Sequence, residues 1–277
     1  MQIEEESEEE AEPLRPARDP GAPSDKQIED HRLAHLPYRT WCKWCNLGRG
    51  RGLQHRHSPG STTPLVGVDY FFITTGGVKK QQELDYGEGI EGKKDLEAAR
   101  AKGEIVKCVV VRCNSTKAVF GHVVPCKGPD EDGHVAATIV EDIKWLGHTK
   151  LVIKADGEPA VQALVEQVLR GARVECKDME QMTKEDPAAY DSQSNGSTEI
   201  GVRLIRGLFR TVKLCLESRV QKSIPVSHTI MQWMLEHVCL LLNTAVRGPD
   251  GLMAWARARG RPFRQVLFHF GENVLHP

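Results

Sequence analysis

Several features that the sequence lacks narrow the class of protein. The N-terminus has neither a basic start nor an apolar run, so it does not predict a secretion signal. Eight cysteines in 277 residues are too few for a disulfide-stapled scaffold. The longest apolar stretch, residues 230–246, is interrupted by polar residues and predicts a core helix rather than a membrane span. We therefore expect a nuclear or cytoplasmic protein in a reducing compartment, with no membrane partner.

The sequence also lacks an overall excess of charge, because two opposite regions cancel. The formal net charge is −1, but residues 1–30 contain eleven Asp and Glu against three Lys and Arg. That region carries −8, and the remaining 247 residues carry +7. We expect residues 1–28, which are rich in Glu, Pro and Ala, to be a disordered acidic tail. The tail masks a mildly basic body, so the net charge of −1 does not argue against a nucleic-acid partner.

The apolar periodicity predicts an α/β fold. Strand-like runs occur at residues 65–73, 105–112, 117–124, 150–155 and 173–176, and helical patterns occur at 129–146, 159–169, 199–217 and 227–246. Residues 76–104 are predicted to be an inserted loop with one short helix near Leu96, and residues 179–197 a polar loop. Three consecutive strands followed by alternating helices and strands predict a mixed sheet with helices on both faces.

A group of His and Cys residues near the N-terminus predicts a structural zinc site. Four ligand-type residues fall within fifteen positions: His31, His35, Cys42 and Cys45. Zinc prefers tetrahedral nitrogen and sulfur ligands, and a C-x2-C turn presents two thiolates to one ion. Two His four residues apart share one face of a helix, so the four residues supply a closed ligand set. His55 and His57 are alternative ligands, and we place the zinc-binding module at residues 29–60.

Three acidic residues stand at positions where a carboxylate is informative. Asp69 lies inside an apolar strand, where its burial is costly unless a cation compensates. Asp156 ends a strand and could line a cleft at the sheet edge, or could simply cap the next helix. Glu199 begins a helix, whose N-terminal turn favours a carboxylate in any case.

Taken together, the motifs around these acids resemble the three acidic motifs of the integrase core of retroviruses and LTR retrotransposons. The motifs are LVGVD ending at Asp69, KADGE containing Asp156, and SNGSTE ending at Glu199. The spacing from Asn195 to Glu199 resembles copia-type integrases. The His/Cys group resembles the HHCC module that precedes this core, and residues 250–271 resemble the segment that follows it. The resemblance covers residues 31–277.

The resemblance implies an RNase H-like catalytic core at residues 61–246, in which Asp69, Asp156 and Glu199 bind two Mg²⁺ or Mn²⁺ ions. It implies a polynucleotidyl transferase that trims DNA 3′ ends, a nuclease step, and then joins them to target DNA. It also implies a homo-oligomer acting on donor ends and target DNA. The chain ends at Pro277, within a basic post-core segment at residues 247–277, so we expect a truncated fragment of a retrotransposon polyprotein.

The helix that begins at Glu199 carries a basic stripe. Four cations follow Glu199 at offsets of 4, 7, 11 and 14: Arg203, Arg206, Arg210 and Lys213. Helical spacing places them on one side, near the acid. Phosphate contacts dominate DNA affinity, so this stripe predicts DNA binding, whereas a solvated amphipathic helix is the ordinary alternative.

Some positions depart from the integrase pattern and keep other interpretations open. Ile200 stands where family members often have a basic residue, and Glu158 is a rival third ligand. The leading alternative is a non-catalytic nucleic-acid-binding descendant of an integrase. A further alternative is an RNase H-like nuclease that cleaves without joining.

Overall fold

The computed structural model describes residues 22–49, 63–84, 89–185 and 196–272. The acidic tail up to residue 21, the alternative zinc ligands His55 and His57, and Asn195 lie outside these ranges. The last part of the expected tail is described, and it enters a helix at Asp25. None of the described helices is both long enough and apolar enough to cross a membrane.

The described residues form six strands and eight α-helices. The strands are β1 (Leu65–Thr74), β2 (Gly77–Lys79), β3 (Ile105–Cys113), β4 (Val119–Val123), β5 (Lys150–Ala155) and β6 (Gln181–Glu185). The helices are α1 (Asp25–Ala34), α2 (Lys43–Arg49), α3 (Gly89–Ala101), α4 (His134–Leu146), α5 (Pro159–Glu175), α6 (Gly196–Val220), α7 (Ile230–Ala245) and α8 (Ala254–Arg259). A short 3₁₀ helix, Gln81–Glu83, follows β2.

The strands form one mixed sheet in the order β4-β3-β1-β5-β6. β3 is antiparallel to β1 and to β4, whereas β5 is parallel to β1 and to β6. β3 pairs with β1 from Val66 to Thr74. The other edge of β1 is therefore shared by β5, which pairs with residues 65–68, and β2, which pairs with residues 72–74. The predicted mixed sheet is confirmed.

Helices cover both faces of the sheet, and the alternation of side chains along β1 shows which helices pack on each face. Val66, Val68 and Tyr70 belong to the apolar cluster formed with α4 and α5. Phe71 and Ile73 belong to the cluster formed with α6 and α7. Because successive strand residues point to opposite faces, Asp69 shares the α6–α7 face with Phe71.

Two predicted elements were wrong in the region after β5. Residues 173–176 are not a strand: α5 continues to Glu175, because its apolar stripe extends to the fully buried Ala172. The strand lies instead at β6, inside the predicted polar loop. β6 is an edge strand with Met182 as its one buried residue, so it has almost no apolar pattern from which to predict it.

Two further boundaries differ from the prediction. α4 begins at His134 rather than at Pro129, since the Asp130 carboxylate accepts hydrogen bonds from the backbone N–H groups of His134 and Val135. The insertion at residues 76–104 contains the predicted helix near Leu96, as α3, and also contains β2 and the 3₁₀ helix.

Candidate metal centres and nucleic-acid interface

The four predicted zinc ligands come together in the described structure. His31 lies in the last turn of α1, and His35 ends that helix in a left-handed conformation (φ 53°). Cys42 immediately precedes α2 and Cys45 lies within it. All four side chains are buried, and their potential ligand atoms lie within 4.8 Å of one another. The chain turn between α1 and α2 thus gathers two imidazoles and two thiols at one point.

The distances in this cluster fit one tetrahedral zinc ion. Nε2 of His31 is 3.3 Å from Sγ of Cys45, and Nδ1 of His35 is 3.5 Å from Sγ of Cys42. Zinc bonds of about 2.0 Å to nitrogen and about 2.3 Å to sulfur give a tetrahedral N–S edge of about 3.5 Å. The donor set and its edges therefore suit Zn²⁺, bound through Nε2 of His31 and Nδ1 of His35.

This His/Cys module packs directly on α6. A Cβ atom at Gly48 of α2 would lie 2.0 Å from Oγ1 of Thr211, so the two helices approach as closely as glycine allows. The Thr211 hydroxyl donates a hydrogen bond to the Gly207 carbonyl (2.9 Å) and is turned back along its own helix. Ala34 joins the apolar cluster of α6 and α7. The module is thus attached to the helix that carries the basic stripe.

Asp69 and Asp156 lie side by side because of the register of β1 and β5. The last pair of these parallel strands is Val68 with Ala155. Asp69 and Asp156 are the next residues on each chain, and neighbouring strands are about 4.8 Å apart. The two acids therefore meet where β5 leaves the sheet.

The Asp69 carboxyl is in an environment that disfavours its ionised form. Burial raises the pKa of Asp69 to about 6, and the charge of Asp156 adds to this effect. The backbone N–H of Tyr70, at 2.7 Å from Oδ1, and the ammonium groups of Lys80 and Lys127 lower the pKa in part. A partly buried carboxylate beside a second carboxylate would be stabilised by a bound cation.

Asp156 is exposed and is held by the turn into α5. Its Oδ1 accepts a hydrogen bond from the Gly157 backbone N–H (2.7 Å), and its carbonyl accepts one from Nε2 of Gln162 (2.7 Å). The carboxylate is thus oriented by backbone geometry while solvent, or a ligand, can reach it.

Gly67 and Arg112 fix the first turn of α6 over the Asp69 face of the sheet. A Cβ atom at Gly67 would lie 2.5 Å from Cγ2 of Thr198, so this glycine lets α6 begin against β1. Arg112, which is the β3 partner of Gly67, is buried and donates from Nη1 to the Ser197 carbonyl (2.6 Å). Neither residue was predicted, although a glycine two residues before Asp69 on the same strand face was an available signal.

The structure does not bring Glu199 into one group with the two aspartates. Oε1 of Glu199 is 2.8 Å from the Lys80 ammonium. Across the ranges that the structure describes, the His/Cys cluster is the one group of three or more His, Cys, Asp or Glu residues close enough to hold a metal ion. The rival acid Glu158 is also ion-paired, with Lys127 at 2.7 Å. Neither Lys80 nor Lys127 was predicted from the sequence.

The predicted basic stripe is divided between free and paired cations. Arg203 and Arg210 are exposed and make no ion pair with any other residue in the described ranges. Arg206 forms an ion pair with Glu83, and Lys213 forms one with Glu217 at 2.5 Å. Two cations of the stripe are therefore immediately accessible to a phosphate backbone.

Comparison with known proteins gives matches in structure alone. No family model matches the sequence, and no curated protein matches it. The structural neighbours are retroviral integrase catalytic cores. The BIV integrase core has 15% identity and a TM-score of 0.39, with 70% of this chain and 92% of that chain covered.

Two further structural neighbours match this chain with similar identity and TM-score. The HTLV-2 integrase catalytic core in complex with magnesium (trimeric form) has 13% identity and a TM-score of 0.43, covering 70% of this chain and 95% of that chain. The simian T-cell lymphotropic virus intasome, in complex with a PP2A regulatory subunit, has 13% identity and a TM-score of 0.46, covering 89% and 71%. Independently of these neighbours, the described residues form the predicted mixed sheet between helices, preceded by a His/Cys cluster.

Proposed function

We propose that the chain is an integrase-type polynucleotidyl transferase that processes DNA 3′ ends and joins them to target DNA. The observation that carries this proposal is the register that places Asp69 and Asp156 side by side, on the sheet over which α6 begins. Paired carboxylates at one sheet edge are the oxygen donors that Mg²⁺ and Mn²⁺ prefer. The acidic residues of the proposed site are Asp69, Asp156 and Glu199.

Asp69 and Asp156 are suited to bind a divalent ion. Glu199 can join them as a third metal ligand only when its ion pair with Lys80 is broken. When bound, two divalent ions activate the attacking oxygen and stabilise the leaving oxygen of an in-line phosphoryl displacement. Asp69 contributes a desolvated carboxylate and Asp156 an exposed one that can reach the phosphate. Gly67 and Arg112 hold the start of α6 in place.

DNA is the partner that the charge distribution supports. Arg203 and Arg210 lie four and eleven residues after Glu199 on the exposed side of α6, where they can contact successive phosphates of a donor end or a target. The His/Cys module, loaded with structural Zn²⁺, would stabilise the far part of the same helix. Pairing of two DNA ends would require a homo-oligomer.

A strand-transfer assay tests the proposal. Purified protein is incubated with a labelled donor DNA end, a target plasmid and Mn²⁺, as wild type, Asp156→Asn and Asp178→Asn. Asp178 is exposed and remote from the proposed site, so its variant controls for the loss of one negative charge. We expect joined products from wild type and Asp178→Asn and none from Asp156→Asn. Joining by Asp156→Asn would contradict the proposal, and cleavage without joining would indicate a nuclease.

The ion pair of Glu199 with Lys80 favours a second candidate, a non-catalytic nucleic-acid-binding descendant. In this arrangement the third acid is neutralised by the chain itself. The same assay distinguishes the two functions. This candidate predicts no products from any variant with Mg²⁺ or Mn²⁺, together with DNA binding that weakens steeply as salt increases.

A further inference from the structure

The segment Val78–Leu84, here called the strap, is anchored at both ends beside the proposed site. Val78 is buried in the apolar cluster of α6 and α7. Leu84 packs against the separate cluster of Phe72, Ala99 and Ile105. Between these anchors lie Lys80 and the 3₁₀ helix, so the polar side chains of the strap are presented from a fixed backbone.

Two charged side chains of the strap each contact a charged residue of the proposed site. The Lys80 ammonium lies 2.8 Å from Oε1 of Glu199, and the Glu83 carboxylate pairs with the Arg206 guanidinium. Glu199 and Arg206 are seven residues, or two helical turns, apart and so share one face of α6. The strap therefore lies along the same face of α6 as the proposed acid and the basic stripe.

A third contact ties the strap to the opposite side of the site. The Lys127 ammonium donates to the side-chain carbonyl of Gln81 and also to both carboxylate oxygens of Glu158, at 2.9 and 2.7 Å. Lys127 lies 5.6 Å from the centre of the Tyr70 ring, next to Asp69 in β1. The strap thus bridges α6 and the acids at the end of β5.

The two charged side chains of the strap have the same signs as the two ligands that the proposed function requires, a metal cation and a DNA phosphate. Lys80 places a cation on a carboxylate that would otherwise ligate a divalent metal ion. Glu83 places an anion on a guanidinium that would otherwise contact a DNA phosphate. Each of these two site residues can bind either its partner in the strap or its ligand, but not both at once. Each ion pair therefore competes with a ligand.

We propose that the strap is an internal competitor: Lys80 holds Glu199 in place of a divalent cation, and Glu83 holds Arg206 in place of a DNA phosphate. Metal and DNA then bind by displacing two side chains, while the strap backbone stays anchored. This inference rests on the proposed function and adds a self-inhibited resting state to it. The Lys80 and Glu199 side chains are 22% and 53% exposed, so the pair is weak enough to be displaced.

The phosphate side of the proposal is tested by DNA binding. Fluorescence anisotropy with a labelled duplex compares Glu83→Gln with Glu104→Gln, an exposed acid outside the strap that gives the same change in charge. We expect Glu83→Gln to bind about two- to fivefold more tightly than its control, as expected for releasing one exposed ion pair. In an Arg206→Gln background the difference disappears, and Glu83→Asp, which keeps the charge, retains wild-type affinity.

The metal side is tested by Mn²⁺ binding, followed by the electron paramagnetic resonance signal of the free ion. Lys80→Gln is compared with Lys102→Gln, an exposed lysine after α3. We expect Lys80→Gln to bind Mn²⁺ about two- to fivefold more tightly than Lys102→Gln. Equal affinities of the two variants for Mn²⁺, or weaker binding by Lys80→Gln, would contradict the proposal about the strap. Circular dichroism of each variant verifies that the fold is retained, and Lys80→Met serves if Lys80→Gln unfolds.

These measurements distinguish failure of the strap from failure of the proposed function. If wild type binds Mn²⁺ and duplex and either strap variant matches its control, the proposal about the strap is wrong and the proposed function stands. If wild type and strap variants alike bind neither Mn²⁺ nor DNA, both are wrong.

Discussion

Replacing Asp69 with Asn is expected to stabilise the metal-free protein at neutral pH, although it removes a proposed catalytic acid. In the fold, burial and the neighbouring Asp156 make the ionised Asp69 carboxylate costly. The Asn side chain has nearly the same shape and keeps an oxygen that can accept the Tyr70 N–H, but it has no charge to desolvate.

The size of the effect follows from the pKa of Asp69, which burial raises from 3.8 to about 6. A rise of about two units corresponds to about 3 kcal/mol at a pH above both values. The sign follows because the folded state holds the proton more tightly than the unfolded state. The cost is absent below about pH 4, grows as pH rises towards 6, and is fully present above 6. Wild type should therefore lose stability across this window relative to Asp69→Asn.

The measurement is urea unfolding of wild type and Asp69→Asn at a series of pH values from 4 to 8, in identical buffers with no Mg²⁺ or Mn²⁺ added. We expect the two free energies of unfolding to be nearly equal at pH 4 and to differ by about 2–3 kcal/mol at pH 7, with the variant more stable. Adding Mn²⁺ should then stabilise wild type and leave the variant unchanged. A variant that is less stable at pH 7, or a difference independent of pH, would refute this account of Asp69. Asp178→Asn is the exposed control.

Four further changes test other parts of the structure. Cys45→Ala should abolish stoichiometric zinc, measured by atomic absorption, and lower the thermal stability of the protein; full zinc content would contradict the ligand set. Gly48→Ala should cost about 1–3 kcal/mol in urea unfolding, because its Cβ meets Thr211, whereas Gly76→Ala, in an open turn, should cost little. Gly67→Ala should displace Thr198 and weaken Mn²⁺ binding; unchanged affinity would show that the start of α6 does not depend on this glycine. Replacing both Arg203 and Arg210 with Gln should reduce the slope of log affinity against log salt concentration by about 2, because two phosphates are no longer neutralised. Anisotropy titrations at several salt concentrations measure that slope. An unchanged slope would place the DNA path elsewhere, and replacing the ion-paired Lys213 should change the slope less.

Elements with a strong apolar pattern could be predicted from the sequence. β1 is nearly continuous in apolar residues, and α4 repeats them at helical spacing, so both were found. β6 was missed because it has one buried residue, and its place in the sheet depends on pairing with β5. The end of α5 was predicted wrongly because residues 173–176 are too few to distinguish the apolar period of a helix from that of a strand.

The candidate sites could be predicted only as far as local spacing reaches. The His/Cys cluster follows from short spacings, whereas the grouping of Asp69 with Asp156 was implied by the resemblance, and their neighbouring positions follow from the register of β1 and β5. The pairing of Lys80 with Glu199 joins residues 119 positions apart through a hairpin, and no local pattern encodes it. Contacts between distant parts of the chain, including that between Gly67 and Thr198, required the three-dimensional arrangement.

α6 is a 25-residue helix, about 37 Å long, and it carries features that the chain otherwise keeps apart. Glu199 lies in its first turn, and Thr211, where the His/Cys module packs, lies about 18 Å further along the axis. Because α6 is one continuous helix, a change of packing at Gly48 would act on the same helix that presents Arg203 and Arg210. A change in the packing of the His/Cys module would thus act on the helix that carries the basic stripe, without any change in the carboxylates themselves.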